Sequence, residues 1–407
     1  MNSIRWNNKN ISTVLAAIIT VWASAAAGAR RSSAVDDGEM IKRYEQWMEQ
    51  YGRAYSNETE KTQRFSVFRD NAIFIDSFNR AGNHSYTLAI NEFADLTNDE
   101  FRSSRMGYVP PPPPVAGNAT AMPFIYENVT DPPPAVDWIK HGAVTPIKNQ
   151  EQCVIRMEYV LNDMWLVQPD CLKGVAGVFG SGQDERFYRG RNMLSELALT
   201  ESNLFEKYAG CCWAFSTVAA TEGITKLTTG KLISLSEQQL VDCDRISHGC
   251  DGGWMEAGFK YITENRGITT EANYPYTKMQ GPCQQSKASA AAARLGGFQI
   301  VPKNSEAELL KAVSRQPVSV SIDAAGQPMQ FYAGGVFAAQ CSTLINHAVT
   351  AVGYGTDPSG MKYWLLKNSW GPTWGERGFL RLLRDSGVPE GQCGVATQSS
   401  FPLPPPK

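Results

Sequence analysis

Two early stretches of the chain carry hydrophobic residues at helical spacing. Their apolar side chains recur three and four positions apart, which is the period of an amphipathic α-helix. The two faces comprise Ile41, Tyr44, Trp47, Met48 and Tyr51, followed by Phe65, Phe68, Ala72, Ile75 and Asn79. The pattern predicts a helical domain over residues 36–108.

Proline runs end this helical pattern. The sequence reads PPPPP at 110–114 and DPPP at 131–134. Because proline cannot donate a backbone hydrogen bond and favours extended chain, we expect an exposed linker over residues 109–131.

The rest of the chain changes from a helical to a strand-like pattern. Cys212–Thr229 carries apolar residues at helical spacing, and Gly230 suits the position just after a helix end. The run Ser236 to Gln239 is typical of a capping box at a helix start. Short β-type runs follow from about Ala312, namely PVSVSIDA, HAVTAVGYG, KYWLLKNSW and GFLRLLR. This order predicts an α+β fold with a helical lobe, a strand-rich lobe and a cleft between them.

Composition and charge limit the classes of protein. The chain has 407 residues, of which 43% are hydrophobic and 19% charged, so two or three folding units with a sizeable core are expected. The formal net charge is -2, which gives no reason to expect a nucleic-acid partner.

The N-terminus has the pattern of an export signal. Arg5 and Lys9 precede an apolar run at 11–22, and the small residues ASAAAGA follow. The run is shorter than the ~20 residues that span a bilayer, so we expect a cleaved signal over 1–29 and no membrane partner.

Export permits disulfides and glycosylation. The chain has nine cysteines, an odd number that leaves at least one free thiol in a monomer. It has no C-x-x-C, and its four histidines are scattered, so we expect no metal and no cofactor. The glycosylation acceptor sites Asn57, Asn83, Asn118 and Asn128 all lie before residue 132, and no acceptor site follows it.

Three residues have the chemistry of a thiol nucleophile with its base. Cys212 opens a predicted helix, and a helix N-terminus with a nearby imidazolium can lower a thiol pKa to about 3–4. His347 opens a strand-like run, and Asn368 lies in KNSWG downstream. An asparagine can orient the imidazole by accepting its second N–H.

These motifs resemble the papain family of cysteine endopeptidases, in particular its plant members. GCCWAFS, NHAVTAVGYG and KNSWGPTWGERGF carry the resemblance, with LVDC, GCDGG and VDWIKHGAVTPIKNQ. It implies Cys212 as nucleophile, His347 as base and Asn368 as its partner, with Cys211 a bystander. It also implies Gln150 as an oxyanion donor and Trp370 as a shield over the histidine and part of the substrate site.

The first helical segment resembles the inhibitory propeptides of the same family. Six positions of their E-x3-R-x3-F-x2-N-x3-I-x3-N helix pattern are filled, by Glu60, Arg64, Phe68, Asn71, Ile75 and Asn79. A second motif, G-x-N-x-F-x-D, has Ala89 in place of its glycine, before Asn91, Phe93 and Asp95. The resemblance implies that residues 36–108 fold on the enzyme, lie through the cleft against the substrate direction and are removed in acid. The peptidase domain then covers 132–407.

The resemblance also implies disulfides and a substrate pocket. It pairs Cys153 with Cys250, Cys243 with Cys283, and Cys341 with Cys393, and leaves Cys171 spare. Gly252 and Gly253 are implied to pair with the bound peptide. The implied lining of the main specificity pocket is Trp254, Met255, Ser321, Ile345 and Gln398, which favours an apolar residue second before the cut.

One departure separates this chain from the family pattern. Cys153 and Gly210, adjacent in the family, are separated by about 56 residues at 154–209. This segment is either an insertion that loops out or a translated non-coding segment such as an unspliced intron. We favour the second, because the flanks rejoin without a gap when the segment is removed.

Three functions remain open at this point. The chain is an active endopeptidase made as an exported zymogen, a catalytically impaired binding or decoy relative, or a generic disulfide-stapled binding module. The retained catalytic residues favour the first. Expected partners are protein and peptide substrates, its own propeptide and inhibitors of the cystatin type. We expect a monomer in the secretory pathway, destined for a vacuole, a lysosome or the extracellular space.

Overall fold

The structure is a computed structural model that describes residues 37–112, 123–155 and 210–406. The predicted signal at 1–29, the acceptor Asn118, the spare Cys171 and nearly all of the segment 154–209 lie outside the described residues. The chain divides into two compact units, Met1–Ile73 and Phe74–Lys407.

The first unit consists of two helices as far as it is described. Helix α1 spans Asp37–Tyr51, and α2 begins at Glu58 and runs on to Ala81. The rings of Tyr44 and Phe68 pack 5.1 Å apart between them. Two members of the predicted α1 face, Tyr44 and Trp47, are buried, but Ile41 is 45% exposed and its neighbour Met40 is fully buried. The prediction was wrong at Ile41, because the buried stripe runs through positions 40, 44 and 47.

The second unit contains the remaining elements. In chain order the longer helices are α3 (Asn98–Arg105), α4 (Cys212–Thr229), α5 (Glu237–Cys243), α6 (Met255–Glu264) and α8 (Glu306–Val313), with the short α7 (Gln285–Ala288) and α9 (Gln327–Gln330). The strands are β1 (Tyr86–Leu88), β2 (Val136–Asp137), β3 (Val154–Ile155), β4 (Met279–Gln280), β5 (Gly297–Ile300), β6 (Val318–Ile322), β7 (Tyr332–Phe337), β8 (His347–Thr356), β9 (Lys362–Lys367), β10 (Phe379–Leu383) and β11 (Ser399–Leu403). Among the described residues, no helix combines the length and the apolar character needed to cross a membrane.

A nine-stranded sheet forms the strand-rich part of this unit. Its order is β1-β7-β10-β9-β8-β6-β11-β5, with β2 paired to β8. The pairs are antiparallel except β7 with β10. The predicted strand runs all form strands here, which places His347 at the start of β8 and Asn368 just after β9.

Helix α4 is the buried helix against which the sheet packs. It begins at Cys212 and ends at Thr229, with Gly230 in the left-handed conformation, as the sequence predicted. Ser216 on α4 donates to the carbonyl of Val349 at 2.7 Å, and Ser319 donates to the carbonyl of Ser216 at 2.9 Å. These bonds satisfy polar groups in the interior and fix the start of the helix against β6 and β8.

Among the described residues, three disulfides join the cysteines that the family resemblance pairs. They are Cys153–Cys250, Cys243–Cys283 and Cys341–Cys393. The first ties the chain just before the segment 154–209 to the short helix Gly249–Asp251, beside which the specificity glycines lie.

Part of the predicted exposed linker is held on the surface of the peptidase region. Tyr126 donates to the side chain of Gln316 at 3.0 Å, and its ring packs 5.1 Å from the ring of Phe401. The carbonyl of Pro123 accepts from Gln299 at 2.9 Å. The linker is therefore docked from residue 123 onward, because the rings of Phe124 and Tyr126 pack against Phe401 of β11.

Candidate active site

Cys212 lies at the N-terminus of α4 and is fully buried. The backbone N–H of Ala348 points at its Sγ from 3.4 Å. His347, which directly precedes Ala348 in the chain, is also fully buried. The start of β8 therefore places the imidazole beside the thiol of Cys212.

The hydrogen bonds of His347 define its tautomer. Its Nε2 lies 2.8 Å from Oδ1 of Asn368, and that oxygen also accepts the backbone N–H of Ser369 at 2.7 Å. Because an amide oxygen only accepts, Nε2 carries the proton. Nδ1 has no hydrogen-bond partner among the described residues, so in the neutral ring it is free to accept a proton from the thiol.

Gln150 is held in one orientation by three hydrogen bonds to two neighbours, Ser369 and Tyr276. Ser369 donates through its hydroxyl to Oε1 at 2.7 Å and accepts the Gln150 backbone N–H through its carbonyl at 2.8 Å. Tyr276 donates to the carbonyl of Gln150 at 2.7 Å. The Nε2 group of Gln150 is thereby aimed into the site, where it donates to the carbonyl of Arg105 at 3.0 Å. A Cβ added to Gly210 would lie 3.0 Å from the same Nε2, so the donor and the start of α4 are adjacent although 154–209 separates them in sequence.

Trp370 covers the imidazole. Its ring stacks on His347 with centroids 4.5 Å apart and planes 29° from parallel. Phe101 and Trp374 pack edge-on against Trp370 at 5.0 and 4.8 Å. The His347–Asn368 bond therefore lies in an apolar surrounding, where hydrogen bonds are strengthened.

Cys211 faces away from this chemistry. Its Sγ lies 3.0 Å from the hydroxyl of Tyr276. Since Tyr276 gives its single proton to the carbonyl of Gln150, the thiol of Cys211 is the donor in that contact. Burial raises the pKa of Cys211, which keeps the thiol neutral.

Residues 105–109, called the cleft segment below, run across the site. The carbonyl of Gly107 accepts from the backbone of Gly253 at 3.0 Å, and Val109 donates to the carbonyl of Gly253 at 2.9 Å. Tyr108 donates through its backbone to the carbonyl of Asn346 at 3.1 Å. Gly253 thus pairs with the cleft segment as a parallel bridge partner. Gly252 forms no such pair, but it lies so close to the cleft segment that an added Cβ would be 2.7 Å from Val109 and 2.9 Å from the carbonyl oxygen of Gly107.

Helix α3 and the residues before it anchor the cleft segment. Asn91 donates to the carbonyl of Gln330 at 2.7 Å, and Gln330 donates back to the carbonyls of Phe93 and Leu96. Ala89, which replaces the motif glycine, is not among the described residues with positive φ, and it donates to the carbonyl of Phe331 at 2.9 Å. Alanine is therefore accommodated without strain at this position.

The covered site holds both reactive groups neutral. Burial raises the pKa of Cys212 to about 12, against the smaller opposing effect of backbone donors from Ala348 and Gly107. Burial likewise lowers the pKa of His347 to about 4, with the Asn368 hydrogen bond opposing it. The low thiol pKa expected from the sequence is thus wrong for this state, because the cleft segment removes water from the pair.

The predicted pocket residues are linked to one another and to the apolar cluster that contains Tyr108. Tyr108, Trp254 and Met255 belong to one buried apolar cluster, against which Ile345 packs. Ser321 donates weakly to Sδ of Met255 at 3.7 Å, and its backbone N–H reaches the carbonyl of Gln398 at 3.1 Å. All five predicted lining positions are brought into one place.

Sequence reasoning missed three residues of the site. Ser369 and Tyr276 orient Gln150, and Glu256 accepts from Gln398 at 2.9 Å beside the pocket. Ser369 directly follows Asn368 inside a motif already recognised, so position alone could have suggested it. Tyr276 and Glu256 carry no local signal, because their roles depend on contacts across 126 and 142 positions.

Two family models match this chain. Residues 204–403 match "Papain family cysteine protease", and residues 44–101 match "Cathepsin propeptide inhibitor domain (I29)".

Named relatives and solved structures match over most of the length. The chain is 45% identical to "Senescence-specific cysteine protease SAG39" of Oryza sativa subsp. indica, over 93% of this chain and 94% of the relative. It is 41% identical to "Senescence-specific cysteine protease SAG12" of Arabidopsis thaliana, over 90% and 91%. Among solved structures it is similar to the proform of the Amb a 11 cysteine protease of ragweed pollen, with TM-score 0.71, 35% identity and coverage of 91% and 96%. A recombinant stem bromelain precursor matches with TM-score 0.70, 35% identity and coverage of 90% and 99%.

Proposed function

Since the chain belongs to the papain family of cysteine proteases and carries an I29 propeptide domain, we propose that it is an endopeptidase made as a zymogen, with Cys212 as its nucleophile. The observation that carries this proposal is the convergence of Cys212, His347, Asn368 and Gln150 on one site. It supports a complete catalytic centre despite the segment 154–209.

The proposed reaction follows from the hydrogen bonds of the site. Nδ1 of His347 takes the proton of Cys212, and the thiolate attacks the peptide carbonyl. Nε2 of Gln150 and the backbone N–H of Cys212 stabilise the oxyanion that forms. His347 then gives its proton to the leaving amine, and water hydrolyses the acyl-enzyme with His347 as base again.

Asn368 and Trp370 support this reaction without touching the reacting carbonyl. Asn368 holds Nε2 protonated, so that Nδ1 faces the thiol. Trp370 keeps water away from that bond by stacking on the ring. An imidazole held in this tautomer needs no rearrangement before it accepts the proton.

The propeptide inhibits by occupying the cleft. The carbonyl of Arg105 takes the donor that the oxyanion needs, and Tyr108 fills the pocket. The cleft segment pairs parallel to Gly253, which supports a course opposite to that of a substrate. We propose cuts between about 108 and 132 for maturation, a window set by the end of the cleft segment and the start of the peptidase region.

The walls of the pocket support an apolar residue second before the cut. Trp254 and Met255 belong to the same buried apolar cluster as Tyr108, and Ile345 packs against that cluster. We further propose export through the secretory pathway to an acidic vacuole or to the outside. The N-terminal pattern and the three disulfides support this, since disulfides persist in oxidising compartments.

A thiol-directed epoxide tests the function. The purified zymogen is acidified with reductant, and labelling and hydrolysis of a protein substrate are followed. We expect labelling of Cys212 and its loss in Cys212→Ser, with His347→Ala abolishing turnover. A chain that matures but never labels would instead be an impaired relative. Sequencing the transcript across codons 153–210 decides separately whether 154–209 is present in the working protein.

A further inference from the structure

The pocket that holds Tyr108 has a polar floor. Glu256 is 6% exposed, and its Oε1 accepts from Nε2 of Gln398 at 2.9 Å. Its other oxygen, Oε2, is buried and has no hydrogen-bond partner among the described residues. A buried carboxylate oxygen without a donor is costly, so the pocket is incomplete on this side.

Tyr108 occupies this pocket without completing it. The residue is 6% exposed and shares its apolar cluster with Trp254 and Met255, and its hydroxyl interacts with the side chain of Ser321. Burial raises the pKa of Tyr108, and the charge of Glu256 adds to that effect, which puts the carboxylate within electrostatic reach of the hydroxyl. The hydroxyl makes no hydrogen bond to Oε2 of Glu256.

We propose that Glu256 makes this pocket select a side chain whose apolar body ends in a hydrogen-bond donor, with tyrosine and lysine as the preferred residues second before the cut. This inference rests on the proposed function and refines its apolar preference. A substrate that pairs with Gly253 in the opposite direction approaches the floor at a different angle from Tyr108. A phenol or an ammonium on it can then donate to Oε2, while the stem contacts Trp254 and Met255.

Two matched pairs of peptide substrates isolate the donor. One pair has tyrosine or phenylalanine at the second position before the cut, and the other has lysine or norleucine, which has a stem of similar length without the charge. A fifth peptide with leucine reports activity that does not depend on the donor. Values of kcat/KM are measured for the matured enzyme, for Glu256→Gln and for Glu264→Gln, an exposed glutamate at the end of the same helix.

The expected result is a preference in both pairs. Lysine should exceed norleucine by about tenfold or more, and tyrosine should exceed phenylalanine by about threefold to tenfold, as expected for hydrogen bonds to a charged acceptor. Glu256→Gln should remove the lysine preference, measured as the ratio of lysine to norleucine, whereas Glu264→Gln should change neither ratio and should leave cleavage of the leucine peptide within about twofold. Equal cleavage within both pairs by the unsubstituted enzyme, or a lysine preference that survives Glu256→Gln, would overturn the proposal. An enzyme that cleaves none of the five peptides would contradict the proposed function instead.

Discussion

The catalytic centre and the cleft segment above it are held by different kinds of contact. The catalytic side chains are fixed by bonds from their own peptidase region, such as Asn368 to His347 and Ser369 to Gln150. The cleft segment is fixed by backbone pairing to Gly253 and Asn346. The proposed catalytic side chains therefore keep their mutual hydrogen bonds under the cleft segment, so the latency that we propose comes from occupancy and burial and needs no distortion of the centre.

A close backbone crossing joins the two regions. A Cβ added to Gly107 would overlap the carbonyl oxygen of Gly210, directly before the two cysteines of α4. Only glycine fits such an approach, so the sequence of the cleft segment is constrained where it crosses the start of the helix. Substitutions can consequently separate catalysis from latency.

Breaking the catalytic centre alone should have the largest effect. In the matured enzyme, Gln150→Ala should lower kcat by about 10²–10³-fold with little change in KM, as for other oxyanion donors. Steady-state kinetics on one peptide substrate measures this, with the exposed Gln285→Ala as control. An increase in KM at unchanged kcat would mean that Gln150 binds substrate without stabilising the oxyanion.

Breaking the cleft segment alone should release latency. In the unprocessed zymogen at neutral pH, Gly107→Ala should raise the rate of epoxide labelling of Cys212 at least about tenfold, because the displaced segment uncovers the thiol. The matched control is Gly281→Ala, whose added Cβ would meet its nearest neighbour at 3.9 Å. Unchanged labelling would show that the crossing at Gly210 does not hold the segment down.

Lowering the pH should favour opening of the cleft segment, because His347 of the proposed catalytic centre takes up a proton when it is uncovered. The covered form lowers the pKa of His347 to about 4, whereas an uncovered imidazole titrates near 6.5. The open form therefore binds more protons between about pH 4 and 6.5, so falling pH favours opening by up to about tenfold per unit, and this contribution vanishes above about pH 6.5.

Hydrogen exchange in a Cys212→Ser zymogen measures this opening. The amides of Tyr108 and Val109, which bond to Asn346 and Gly253, report on the cleft segment after correction for intrinsic exchange. Adding His347→Gln should flatten the pH dependence. If both variants open with the same slope, other groups carry the acid response.

Cys211→Ser should have the smallest effect on either region. A serine hydroxyl can replace the thiol as donor to Tyr276, so turnover and labelling should stay within about threefold of the unsubstituted chain. Activity assays on the matured variant check this. A dead Cys211→Ser would mean that the nucleophile has been assigned to the wrong thiol.

Local patterns predicted the elements well where one face is uniformly buried. Helix α4 begins and ends where its spacing and Gly230 indicate, and the four strand runs all form strands. Ser236 caps α5 as predicted, by accepting from the backbone of Gln239 at 3.0 Å. The side chain of Gln239 does not return to the cap, however, and donates to Tyr261 and the carbonyl of Ala288 instead. Tertiary partners decided that detail, and they also decided which neighbour, Met40 or Ile41, is buried in α1.

The sequence by itself determined the proposed catalytic residues and the elements that carry them. Cys212 at a helix start, His347 at a strand start and the family motifs around them are local features, and each is set by neighbours within a few positions. Only the tertiary structure decided how these groups behave in the latent chain. Burial under the cleft segment makes the thiol and the imidazole neutral, and the contact of Gln398 with Glu256 gives the pocket a polar floor. Both depend on the loss of water at contacts between distant parts of the chain, which no short pattern encodes.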